Sequence, residues 1–134
     1  AIEEFKRLTK AKNPEYAAEA QYVLAEIAFN SGKIEESEKM IHQINANPSS
    51  EYWLAKTFVL WADIFKSKGN TIQAKQTLQS IIDNYEGDEE LIELAKQKLI
   101  SLTDEETKTL QETEDKRQEQ QEAVDEIIIE DAEQ

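Results

Sequence analysis

The sequence predicts an all-α protein made of antiparallel helix–turn–helix repeats. Three observations predict it. The 134 residues include only three Gly and two Pro, and Ala, Glu, Lys, Gln and Leu are abundant. Such a composition favours helices, because strands need more turn residues and more β-branched alternation. Large apolar residues also fall at helical spacing. Leu54, Phe58, Trp61 and Phe65 follow i, i+4, i+7, i+11, and Leu78, Ile81, Ile82 and Tyr85 follow i, i+3, i+4, i+7. Finally, the chain punctuates itself twice. Asn13-Pro14 and Asn47-Pro48 lie 34 residues apart, and Gly32 and Gly69 lie 37 apart.

The punctuation sets the elements in order. Residues 2–10 read as a helix or the end of one. A second helix covers 15–30, with Asn13 able to cap it and Pro14 able to open it, where a missing N–H costs nothing. Gly32 stops it by taking the left-handed conformation that ends helices. A third helix covers 34–44. Asn47 and Pro48 repeat the opening signal, and a fourth helix covers 50–67, with Leu54, Phe58, Trp61 and Phe65 as its apolar stripe. Gly69 stops that one. A fifth helix covers 72–84 and a sixth 88–101. Connections of two to six residues make neighbouring helices pack antiparallel. Ala25, Ala28, Ala55, Ala62 and Ala74 interleave with the large residues and allow backbones to approach closely.

When Gly32 is aligned with Gly69, Ser37 meets Ala74, Ile41 meets Leu78 and Ile44 meets Ile81. Upstream, Leu24-Ala25 meets Trp61-Ala62 and Ala28 meets Phe65. This pattern resembles the tetratricopeptide repeat, a helix–turn–helix unit of about 34 residues. The resemblance implies an α-solenoid. Residues 1–102 form the array: 1–14 the end of a preceding repeat, with Phe5, Leu8 and Pro14; 15–48 and 50–87 two repeats; 88–102 a capping helix with Leu94-Ala95. Residues 103–134 are left as a charged tail, partly helical or disordered. Each unit departs from the pattern. Gln21 and Ala28 replace aromatic residues, Ser37 replaces an Ala, and Tyr85 stands where a Pro would fall. "YWLAKTFVLWADIFKSKGNTIQAKQTLQSIIDNY" carries most of the likeness. It implies the C-terminal part of a longer bacterial repeat protein, with the cell envelope favoured as its compartment and the cytoplasm open.

The resemblance implies a function class as well: a scaffold that binds a protein or peptide in the concave groove lined by the first helix of each repeat. The alternative is a docking or regulatory module of a larger enzyme or sensor. The groove positions map onto Glu19, Tyr22, Glu26, Phe29 and Asn30 in the first repeat. In the second they map onto Lys56, Val59, Asp63, Lys66 and Ser67, and Ile92 and Lys96 continue the line. Glu26 and Asp63 put the wrong charge where a carboxylate clamp needs Lys, Arg or Asn, so an amphipathic segment is the expected ligand. Tyr22 and Phe29 have a second reading, as packing against a neighbouring repeat.

The remaining chemistry is bounded by what the chain contains. The formal net charge is −14, which argues against a nucleic-acid surface. With no Cys, disulfides, zinc–thiolate sites and cysteine nucleophiles are excluded. No apolar run approaches the roughly 18 residues of a membrane span. His42 is the sole His and reads as an exposed helix residue, not as a base or ligand. No metal site, cofactor loop or catalytic set stands out, and the chain is read as not an enzyme. From Asp104 onward there are 13 acidic and three basic residues, so this segment carries −10 of the total charge. A helix polar all round is solvated or unstable. Ile127, Ile128 and Ile129, set among acids, form a possible tail motif that docks on this chain, docks on a basic partner's sheet edge or groove, makes a crystal contact, or is a chance run.

Overall fold

The computed structural model describes residues 2–3 and 13–133, with side chains through residue 128. Ile2 and Glu3 are helical, and the rest of the first predicted helix lies outside the described residues. Five helices follow: α1 (Pro14–Asn30), α2 (Ile34–Ala46), α3 (Glu51–Ser67), α4 (Thr71–Asn84) and α5 (Glu89–Glu133). No strand occurs among the described residues, and the chain is all-α as the composition predicts. Cα packing divides it into two units, Ala1–Leu99 and Ile100–Gln134.

In the first unit α1 packs on α2 and α3 packs on α4, while α3 also packs on both α1 and α2. Both pairs are antiparallel. The Ser37 hydroxyl donates to the Ala25 carbonyl at 2.8 Å, and further along, Gln21 and Leu24 share a cleft with Met40, Gln43 and Ile44. In the second pair Glu51, Leu54 and Phe58 line one cleft with Ser80, Ile81 and Asn84. Phe58, Trp61 and Phe65 then line the next with Gln73, Gln76, Thr77 and Ser80.

The turns explain why each pair folds back. Gly32 and Gly69 have φ of 81° and 80°. After α1, the Lys33 N–H donates to the Ala28 carbonyl (2.9 Å) and the Gly32 N–H to Phe29 (3.0 Å). After α3, Asn70 donates to Phe65 (2.8 Å) and Gly69 to Lys66 (3.0 Å). These paired bonds satisfy carbonyls that a helix end would leave bare. A Cβ at Gly32 would meet nothing within 4 Å, so Gly32→Ala should cost only the left-handed backbone penalty, about 1–2 kcal/mol. Urea denaturation measures it, and Gly32→Asn should cost less, because Asn tolerates this conformation.

The helix starts are partly as predicted. Asn13 caps α1, its side chain accepting from the Glu15 N–H at 3.0 Å, with Pro14 in the first turn. Asn47 and Pro48 do not repeat this. Asn47 ends α2 with φ −146° and ψ 70°, outside the α region that a following Pro disfavours. The cap of α3 is Ser50, which accepts from the Trp53 N–H. Asp88 caps α5, accepting from the Leu91 N–H at 3.0 Å.

The core of the first unit joins three helices: Tyr22 and Ala25 from α1, Ile41 from α2, Leu60 and Ile64 from α3. Leu78 and Ala74 of α4 are fully enclosed, as is Ala95 of α5. The stripe Leu54, Phe58, Trp61, Phe65 is only half-buried, and the enclosed residues of α3 are Ala55, Thr57, Val59, Leu60, Ala62 and Ile64. A surface helix buries one stripe, but α3 has neighbours on several sides. Its small and medium residues therefore take the tight contacts, while the aromatic rings lie along the clefts beside α4.

The sixth predicted helix, 88–101, is observed as the opening of the longer α5. Nothing after Gly87 is Gly or Pro, so no residue forces a stop. In the second unit the side chains support their own helix. Gln111 donates to Asp115 and Gln121 to Asp125, at 3.0 and 3.1 Å, and Arg117 pairs with Glu114 at 3.8 Å. Such i, i+3 and i, i+4 pairs each contribute a few tenths of a kcal/mol.

Candidate partner-binding surface

The predicted groove residues divide by burial. Glu19, Asn30, Lys66, Ser67 and Lys96 are exposed, and Glu26, Phe29, Lys56, Asp63 and Ile92 are half-buried. Tyr22 and Val59 are corrections, for both are buried core residues, 8% and 6% exposed. The ring of Tyr22 enters the α1–α2–α3 core, and Phe29 packs against the same cluster. Their packing reading therefore describes their contacts, while Glu19 and Asn30 of the same helix are exposed. Ser67 turns its hydroxyl back to the Ile64 carbonyl at 2.7 Å.

Tyr22, Glu26 and Lys56 are brought together. The Tyr22 hydroxyl donates to the Glu26 carboxylate at 2.7 Å, one helical turn away. The Lys56 ammonium reaches across from α3 and lies 5.5 Å from the centre of the Tyr22 ring. Asp63 of α3 is held apart from this group by a different partner, accepting from Lys98 of α5 at 3.0 and 3.3 Å.

Three residues of this surface escaped the sequence reading: Tyr52, Trp53 and Lys98. Trp53 stands 5.5 Å from Tyr22 and 5.0 Å from Tyr52, centre to centre. Both α3 rings face Lys56, at 6.0 Å from Tyr52 and 5.5 Å from Trp53. A signal was present, because Tyr52 and Trp53 precede Lys56 by four and three residues, the spacings at which helical side chains meet. Lys98 carried no such mark, since its pairing with Asp63 depends on how α5 is placed.

The Tyr22 hydroxyl is pushed well above the ordinary phenolic value. Burial is the largest cause, followed by the hydrogen bond to Glu26, the Glu26 and Asp63 charges, and Tyr52. The consequence has a definite sign. In the unfolded chain the phenol ionises near pH 10, while in the folded chain it keeps its proton there. The stability that Tyr22 contributes is whole below about pH 10 and falls as pH rises from there toward the folded value. The advantage of the wild type over Tyr22→Phe should therefore shrink between about pH 9 and 11. Parallel denaturation curves of the two proteins across that range measure it.

Elsewhere, His42 is exposed and stands edge-on to Trp61, 5.2 Å between centres. Among the described residues no group of three or more His, Cys, Asp or Glu is placed to hold a metal. No helix among them is long and apolar enough to cross a membrane. In the second unit Ile127 and Ile128 are exposed, 59% and 60%, while the Ile129 side chain lies outside the described residues.

Comparison with protein-family models, curated proteins and solved structures found no match.

Proposed function

We propose that this chain is a protein-interaction scaffold of stacked, tetratricopeptide-like helical hairpins, and that it holds a protein or peptide segment against the α1–α3 face. The observation that supports this is the pairing of positions. The exposed and half-buried positions Glu19, Glu26, Phe29 and Asn30 of α1 stand 37 residues before Lys56, Asp63, Lys66 and Ser67 of α3. The two helices pack together, and Lys56 meets Tyr22 across the join. Equivalent positions of successive hairpins thus supply one surface of mixed charge over an aromatic floor, the chemistry that suits an amphipathic segment. Longer repeat arrays stack many such units, and each adds a strip to a common binding face.

The test is capture of a partner from an extract of the source organism, with variants confined to exposed positions. Glu19→Lys combined with Lys96→Glu leaves the core untouched and should reduce capture at least about tenfold, as loss of a few charged contacts does. A chain ending at residue 101 should retain the partner. If the charge-reversed protein captures it as well as the wild type, and the shortened chain does not, the working surface is the acidic helix and this reading fails.

A further inference from the structure

The last part of α5 lacks the counter-charges found earlier along the helix. Up to Arg117, cations accompany the acids at helical spacing. Lys108 follows Asp104 by four residues, Lys116 follows Glu112 by four, and Arg117 pairs with Glu114. Past Arg117 the helix sequence holds seven acidic residues and no Lys or Arg. Among the described residues, Glu119, Glu122 and Glu126 are exposed and make no ion pair. Glu122 stands three residues after Glu119 and four before Glu126, spacings at which like charges weaken a helix. Gln121 gives Asp125 a neutral hydrogen bond at 3.1 Å, which leaves its charge in place. The helix end adds to the imbalance. A helix C-terminus carries partial negative charge and favours cations, yet the last turn of α5 has no basic residue. The same stretch exposes an apolar face. Val124, Ile127 and Ile128, at i, i+3, i+4, are 48%, 59% and 60% exposed. Glu122 and Glu126 lie two residues to either side of Val124 and so off that face.

We propose that residues 118–128 of α5 form a docking face for a basic amphipathic segment of a partner protein. The partner's apolar residues cover Val124, Ile127 and Ile128, and its Lys or Arg side chains reach the acids beside them on long flexible stems. Charge chooses this occupant. A second copy would bring the same excess of acid against itself. Anionic lipid and nucleic-acid phosphate are repelled for the same reason. A cationic amphipathic segment relieves all three tensions: the like charges along the helix, its uncompensated C-terminus and its bare apolar face. The inference goes beyond the α1–α3 reading and stands without it, for the two surfaces share no residue.

The test titrates the full chain with a synthetic peptide of Lys and Leu whose leucines fall at helical spacing, and follows it by NMR. The methyl signals of Val124, Ile127 and Ile128 should shift in step and saturate. Ile127→Ser combined with Ile128→Ser keeps every charge and should weaken binding at least about tenfold. Glu119→Gln combined with Glu122→Gln and Glu126→Gln keeps the apolar face. It should weaken binding by a similar factor and leave it less sensitive to added salt. All five of these side chains are exposed, so none of the changes touches a core. Equal binding of a scrambled peptide of the same composition would overturn the proposal, because charge alone would then suffice. So would undiminished binding by either variant, or by a chain ending at Arg117, since the face would then lie elsewhere. Absence of binding overturns it as well. Sedimentation tests the other occupants. A dimer that the Ile127 and Ile128 changes abolish would assign the face to a second copy, and co-sedimentation with anionic vesicles would assign it to a membrane. Either result overturns the proposal. Glu19→Lys combined with Lys96→Glu should bind the peptide as the wild type does, so failure here and failure of the α1–α3 reading are told apart.

Discussion

Replacing Ile64 by alanine is expected to lower the free energy of unfolding by about 4 kcal/mol, toward the top of the usual range for an aliphatic core truncation. Ile64 is fully enclosed. It belongs to the cluster where α1, α2 and α3 meet, and its neighbours there sit on three different helices. Such a site collapses poorly around a void, because filling it from one side opens a gap on another. Net stability of a domain is only about 5–15 kcal/mol, so the change should remove much of it. Urea denaturation followed by far-UV circular dichroism measures the loss. Ile72→Ala is the matched control, since Ile72 is 68% exposed and its truncation should move stability by no more than about 0.5 kcal/mol. A loss below about 1 kcal/mol for Ile64→Ala would mean that the three helices do not share one core.

Tyr22→Ala should be nearly as damaging, at about 3–5 kcal/mol. The ring packs in the same cluster, lies against Trp53 and receives Lys56. Removing it leaves a cavity and takes away a ring that Lys56 approaches. Tyr22→Phe loses only the hydrogen bond to Glu26 and should cost about 0.5–1.5 kcal/mol. The ratio of the two losses, read from denaturation at neutral pH, separates packing from hydrogen bonding. It also sets the rule for functional work on this surface. Loss of partner capture by Tyr22→Ala would report unfolding, whereas charge changes at Glu19, Lys66 or Lys96 report binding.

The sequence made the helices and their turns legible because those are written locally. Asn13-Pro14, Gly32 and Gly69 act through their own backbone, and the observed ends fall within two residues of the expected ones up to Asn84. Burial was less legible. Leu54, Phe58, Trp61 and Phe65 make a regular stripe, yet they are half-buried, because periodicity gives a face and not the number of neighbours around a helix. For the same reason Tyr22 and Val59 were assigned to a groove and lie in the core. The pairing of Asp63 with Lys98 spans 35 residues and two helices, so no local pattern could announce it. The cluster of rings near Lys56 lay between these cases. Its α3 part, Tyr52, Trp53 and Lys56, is a local i, i+1, i+4 pattern, and Tyr22 arrives only with α1.

The two turn joints hold one further consequence. Around Gly32 the chain reads Phe29, Asn30, Ser31, Lys33, Ile34, and around Gly69 it reads Lys66, Ser67, Lys68, Asn70, Thr71. All five flanking pairs differ, yet the glycine angles agree to within a degree and the same two backbone bonds close each joint. One residue in six carries the instruction to reverse direction. The other five are released from that task and free to acquire separate ones, as Lys68 has in pairing with Glu38 of α2. A joint encoded so sparsely can be copied along a chain while its surface diverges from copy to copy, which lets a single architecture present a different chemical face at every repeat.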